Sequence, residues 1–235
     1  LLAAAAQAGG AITQILVTHT HRDHSPGAVA LAQATGAPVW GRTALHPQWQ
    51  DPLFAPQREL QHGDGITLAG PGECSTLRVL HTPPATPGHA SNHLCYLLEE
   101  ERTLFTGDHV MQGSTVVINP PDGDMAAYLA SLRVLLGIQL DWLAPGHGFL
   151  VARPHDVLRG LIAHRLRREA RVRAALQGQP PQCIDTLLPV VYADVPAAMH
   201  PMARRSLLAH LLKLQQDGAA RLDAAGVRWS AAADG

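Results

Sequence analysis

The chain has 235 residues, 46% hydrophobic and 16% charged, with a formal net charge of −1. That content suits one large globular domain, or a domain with a small appendage. No apolar run reaches the roughly 18 residues of a spanning helix. Cys74, Cys95 and Cys183 are too scattered for a disulfide framework or a zinc-finger pattern, so a cytoplasmic protein is expected. The net charge hides an asymmetry. Residues 1–149 hold 6 Lys+Arg against 12 Asp+Glu, a balance of −6, while residues 150–235 hold 12 against 7, a balance of +5. The basic third suits either an anionic partner or a solvated helix face.

Residues 1–8, rich in Ala and Leu, predict a helix ended by Gly9-Gly10. With no initiator Met and no basic segment, this start does not read as a signal peptide and suggests a fragment. The apolar, β-branched stretch 12–18 predicts a buried strand. It runs into Thr18-His19-Thr20-His21-Arg22-Asp23-His24, after which Ser25-Pro26 supplies a cap and first-turn proline for a helix to about residue 35. Residues 38–40 read as a short strand and 43–58, with Pro47, Pro52 and Pro56, as loop. Strands follow at 66–69 and 76–82, divided by Gly70-Pro71-Gly72. After a loop over 82–92, a hairpin pairs 93–98 with 103–106 around Glu99-Glu100-Glu101.

Met125, Leu129, Leu132 and Leu136 predict a helix over 124–137, with Asp122 and Asp124 favouring its N-terminus. A strand at 141–144 leads into Pro145-Gly146-His147-Gly148. Strands and helices in this order argue an α/β (α+β) layered sheet domain over 1–150. Beyond it, helices at 155–177, 183–192 and 201–216 precede a strand pair, 220–223 and 227–229. That is the order of a winged helix and makes 151–235 a second domain.

The His-rich run packs four metal-competent side chains into six residues at a strand end. Alternation aims His19 and His21 to one side. Four donors from one loop crowd a single tetrahedral ion, so they split naturally: His19 and His21 on one metal, Asp23 and His24 on another. Further donors stand where strands run into glycine-marked turns. These are His89 in Thr86-Pro87-Gly88-His89, Asp108 in Thr106-Gly107-Asp108, and His147. Adding them gives His19, His21 and His89 on one ion, Asp23, His24 and His147 on the other, and Asp108 bridging both.

In this order the motifs resemble the metallo-β-lactamase superfamily. The resemblance implies an αβ/βα sandwich with the metals at one edge of its sheets. The C-terminal third resembles the winged-helix-like appendage of the branch holding β-lactamase-like endoribonucleases, on Glu169, Tyr192, Ser206, His210, Leu211 and Trp229. Family members carry several strands before the His-rich loop, ending in Asp-Thr-Gly; beyond the strand at 12–18 none of these is present here, so an N-terminally incomplete first sheet is expected. His93 is read as a supporting or core residue and His109 as structural. His46, His62, His81, His155, His164, His200 and His210 are assigned surface or core roles, and Trp40 and Trp49 packing.

The expected chemistry is hydrolysis by water activated on two divalent ions, most simply Zn2+, with Asp23 as the catalytic residue that orients the nucleophile or carries a proton. Candidate substrates are single-stranded RNA, as for an endoribonuclease, or a small-molecule ester or thioester of the acylglutathione type. An aromatic content of 4% offers few platforms for stacking bases. A third reading is a winged-helix nucleic-acid-binding module, although residues 202–214 are more apolar than basic.

Overall fold

The computed structural model describes residues 1–69, 74–81 and 88–232. The Gly70-Pro71-Gly72 divide and the start of the 82–92 loop, including Thr86 and Pro87, lie outside the described residues. Helix α1 (Leu2–Gln7) comes first, with no buried residue. Strand β1 (Ile15–Leu16), helix α2 (Pro26–Thr35) and strand β2 (Val39–Gly41) then form a βαβ unit. Strand β3 (Arg58–Glu59) completes a parallel sheet of order β1-β2-β3. Gly36, at φ 71, ends α2 in the left-handed conformation that glycine adopts without penalty. Ser25 stands at the N-cap as expected but caps nothing; its hydroxyl donates to Asp51 Oδ2 at 2.8 Å.

The second sheet holds β4 (Gly65–Ala69), β5 (Cys74–Leu80), β6 (Cys95–Leu98), β7 (Thr103–Gly107), β8 (Trp142–Pro145) and β9 (Val151–Ala152), hydrogen-bonded in that order. Its pairs are antiparallel except β7 with β8, whose crossover carries α3 (Met125–Leu136). The C-terminal third contains α4 (Pro154–Leu176), β10 (Gln182–Cys183), α5 (Ile184–Val191), α6 (His200–Gln216), β11 (Ala220–Leu222) and β12 (Arg228–Ala231). Its small sheet has the order β10-β12-β11. No described helix is long and apolar enough to cross a membrane.

Four apolar cores define the layers. Ile15, Val17 and Val39 pack with Ala28 and Leu31 of α2 on the outer face of the first sheet. Leu60, Val79 and Tyr96, with Leu16 and Trp40, fill the space between the sheets. Leu104 and Leu143 of the second sheet meet Tyr128, Leu129 and Leu132 of α3 and Leu158 of α4. This is the α/β/β/α order that the resemblance implied. The fourth core joins Val172 and Leu176 of α4 to Leu187, Leu207, Leu211 and Trp229.

The structure corrects several boundaries. The 43–58 stretch expected as loop contains a 3₁₀ turn, Pro47–Trp49, and runs into β3. The strand expected over 12–18 pairs only at Ile15–Leu16, flanked by the single bonds Ile15 N–Pro38 O and Val17 N–Trp40 O, both 2.9 Å. Strands β9 and β10 were not anticipated. Two-residue strands carry no readable alternation.

Candidate metal centre

Each donor sits where an element ends and the chain must turn. The loop after β1 brings His19, His21, Asp23 and His24; the turn after β7 brings Asp108; the turn after β8 brings His147; and His89 precedes β6. The seven side chains gather at one edge of the sandwich. Donor atoms of His19, His21 and His89 lie within 4.8 Å of one another, as do those of His19, His24 and Asp108 and those of Asp23, His24 and His147. Asp108 stands between the groups. Its Oδ1 lies 3.3 Å from His24 Nε2 and 3.6 Å from His147 Nε2, and its Oδ2 lies 3.9 Å from His89 Nε2. His147 Nε2 is also 3.3 Å from Asp23 Oδ2. The two trios expected from the sequence are thus adjacent, with His19 close to both.

Glycine makes the approach possible. A Cβ on Gly146 would lie 2.9 Å from His24 Cε1 and 3.0 Å from Asp108 Oδ1. Gly88, at φ +97, lets the chain pass so close to α3 that a Cβ would lie 2.4 Å from Tyr128 Cα.

The donor set fits divalent cations. His19 Nε2, His24 Nε2 and Asp108 Oδ1 are buried with no hydrogen-bond partner among the described residues. The 3.3 Å contact of His24 with Asp108 lacks hydrogen-bond alignment. Left unfilled, each such atom costs about 1–3 kcal/mol. His89 Nδ1 lies 2.9 Å from the Val117 carbonyl, which only accepts, so the ring proton sits on Nδ1 and a neutral ring presents a bare Nε2. That bare nitrogen faces His21 Nδ1 at 3.1 Å, a contact that needs a cation or a proton between the two. Thr18 Oγ1 lies 3.2 Å from His19 Nδ1 and leaves Nε2 aimed inward, as supporting partners of metal-ligating imidazoles do.

Electrostatics keep most of these rings uncharged. Burial, then the neighbouring imidazoles His93, His89, His24 and His21, hold His19 well below the ordinary histidine range. Burial and His21 bring His89 down to about 4, against the Val117 bond and Asp108. His21 is lowered by burial in spite of Asp122, Asp108 and Asp23. Burial also acts on His24, but Asp108 and Asp23 outweigh it and raise that group. Burial works against the Asp108 carboxylate, yet His24, His89 and His147 hold it below its ordinary value.

Residues around the donors support them, some expected from the sequence and some not. His93, expected as support or core, accepts the Asp108 amide on its Nε2 at 3.1 Å. His109, expected as structural, pairs its Nε2 with Ser131 Oγ at 2.9 Å, and its carbonyl accepts from the Tyr128 hydroxyl. Asp124 does cap α3, accepting from Ala127 N at 2.7 Å, but Asp122 does not serve the helix. It turns into the site and accepts from Gln50 Nε2 at 2.8 Å and Ser91 N at 3.2 Å. Gln50 in turn accepts from Thr20, whose hydroxyl takes a bond from Asn92. The only sequence signal was the aspartate pair itself, and the spacing from Met125 favours 124 over 122 as cap. His164, assigned to surface or core, lines a cavity of about 460 Å3 that opens on Asp23, His89, Asp108 and His147.

Residues 1–147 match the Metallo-beta-lactamase superfamily, and residues 184–229 match the Beta-lactamase associated winged helix domain. The chain belongs to the metallo-β-lactamase superfamily, a class of hydrolases, and carries a C-terminal winged-helix domain. It is 32% identical over 165 residues to Thioesterase pkgB of Emericella nidulans, an alignment spanning 70% of this chain and 43% of that protein. It is 28% identical over 225 residues to the Beta-lactamase-like protein 2 homolog of Drosophila melanogaster, across 92% of this chain and 73% of the relative. The chain therefore spans less than half of the fungal relative and about three quarters of the fly one. A metallo-beta-lactamase family protein from Thermus thermophilus superposes with a TM-score of 0.78 over 97% of this chain and 84% of its own, at 23% identity. That likeness is one of fold.

Proposed function

We propose that the protein hydrolyses an acyl thioester at a centre of two divalent ions, zinc in the first instance. His19, His21 and His89 would hold one ion, Asp23, His24 and His147 the other, with Asp108 between them. The observation that carries this reading is the cavity: one end is the donor cluster, and much of the remaining wall is apolar, with Met111, Val116, Val117, Val195 and Met202. Such a space suits an acyl group entering beside the donors. The fungal relative named a thioesterase supports the same class.

Bound divalent ions supply acidified water and polarisation of the scissile carbonyl. The chain's own groups do the rest. Asp23 is the most exposed member of the cluster, 62% accessible at its side chain against 46% for His147, and it lies on the cavity wall, so it can receive the proton of the attacking water. The C–O bond forms as the C–S bond breaks, and the leaving thiolate recovers that proton from Asp23. His19 and Asp108, buried and fixed by Thr18 and His93, keep their positions throughout.

The endoribonuclease reading draws less support. Five of the twelve basic residues of the last third are ion-paired within it, among them Arg204 with Asp185 at 2.7 Å, Arg171 with Asp194 at 2.8 Å, and Lys213 with Glu169 and Asp217. Helix α6, in the place of a recognition helix, turns Ala209 into the catalytic core, and Ser206 accepts the Ile118 amide. The test is a zinc-reconstituted screen of acyl thioesters, a lactone, a β-lactam and single-stranded RNA. Thioester cleavage is expected, lost in His21→Ala and reduced about 100–10,000-fold in Asp23→Asn. RNA cleavage abolished by His21→Ala, with inert thioesters, would overturn the assignment.

A further inference from the structure

Helix α4 contributes three polar residues to the wall of the cavity, His164, Arg165 and Arg168. The two arginines differ in how their charge is met. Arg168 is paired: its Nη1 and Nη2 reach the Asp194 carboxylate, shared with Arg171, at 2.7 and 3.2 Å, and Nη1 also donates to the Val191 carbonyl at 2.6 Å. Arg165 is only 3% exposed and forms no ion pair among the described residues. Its Nη2 donates to the Val116 carbonyl, its guanidinium carbon lies 5.4 Å from the centre of the Tyr128 ring, and its Nε has no partner. Glu169, one turn further along α4, is taken by Lys213 Nζ at 3.1 Å.

A guanidinium buried without a counter-ion is costly, and the Tyr128 ring compensates it only in part. In the same cavity the Tyr192 ring backs Arg168 at 4.2 Å, while its buried hydroxyl lacks a partner among the described residues. The cavity wall thus holds a free cationic donor and a free hydroxyl, both more than nine-tenths buried. These are the groups that receive a carboxylate. One segment ties this feature to the donor cluster, because the Val116 carbonyl takes Arg165 and the adjacent Val117 carbonyl takes His89.

We infer that Arg165, assisted by the Tyr192 hydroxyl, binds a carboxylate on the acyl part of the substrate, so that the preferred thioesters are those of dicarboxylic acids. The inference rests on the thioesterase reading, which it narrows. The winged-helix domain then serves specificity: it closes the acyl pocket through Tyr192, Val195 and Met202.

The test uses the zinc-loaded full chain and two N-acetylcysteamine thioesters of equal acyl length, one ending in a carboxylate and one in a methyl group. A calorimetric titration with glutarate runs in parallel. In the unmodified protein kcat/KM is expected to favour the carboxylated probe by about 10–100-fold. Arg165→Met should collapse that ratio and abolish glutarate binding, and Arg165→Lys should retain part of both. Tyr192→Phe, which removes only the hydroxyl, should lower the ratio by about fivefold. A ratio near unity in the unmodified protein overturns the inference and leaves the thioesterase reading standing. So does a ratio that Arg165→Met leaves unchanged while Tm falls, since that marks a packing role. Arg165-dependent glutarate binding without turnover of either thioester overturns the thioesterase reading and retains the carboxylate site.

Discussion

Gly146 carries a constraint that no donor residue reveals. With 2.9 Å from its notional Cβ to His24 and 3.0 Å to Asp108, even one methyl group must push two donors apart. Gly146→Ala is therefore expected to weaken zinc binding by about 10–100-fold, the usual penalty for disturbing the surroundings of a metal ligand. Competition with a chromophoric chelator measures this, with circular dichroism as the check on folding. Unchanged affinity would mean that the turn relaxes without moving His24. The same scale explains what the sequence could disclose. The donors were legible because they are dense, alternate at a strand end, or stand beside glycine. Gln50, Asn92 and Asp122 were not, because the purpose of each appears only when chain segments separated by tens of residues meet.

Helix α4 is the element on which the two parts of the chain depend. Its first half gives Leu158 and Leu161 to the core beneath the second sheet, and its second half gives Val172 and Leu176 to the winged-helix core. We propose domains at 1–150 and 151–235, yet a helix shared in this way should make them unfold together. Leu158→Ala and Leu176→Ala, both at sites 2% exposed or less, are each expected to cost about 2–5 kcal/mol. Calorimetry should show both substitutions lowering the same single transition. Two separate transitions, each moved by only one substitution, would show that α4 does not couple the cores. Long amphipathic elements such as α3, α4 and α6 were readable from apolar spacing, and the order of three helices and a strand pair announced the wing. The short strands β3, β9 and β10 exist because a neighbouring edge offers hydrogen bonds, which is tertiary information.

Gathering so many imidazoles at one edge of the sandwich ties the stability of the whole molecule to pH. Burial comes first among the causes that hold His19, His89, His93 and His109 below the ordinary value of 6.5, and crowding by other histidines adds to it; His89 stands at about 4 and His109 at about 3. In the folded protein these rings stay neutral at a pH where the unfolded chain protonates them. The unfolded state therefore binds more protons from about pH 6.5 down to each folded value, and stability falls as pH falls through that window. Each ring contributes up to about 1.4 kcal/mol per pH unit. His24 acts in the opposite sense: its raised value stabilises the fold at low pH and is lost as pH rises, but it is one group against those four and His21, which burial also lowers. Asp108, held below its ordinary 3.8, loses its contribution only under more acid conditions. After chelator treatment, Tm is expected to fall from pH 7 to pH 5, and a Tm that is flat or rising over that range would refute the balance. Zinc should raise Tm at pH 7 and lose most of its effect by pH 5, because protons and metal compete for the same nitrogens.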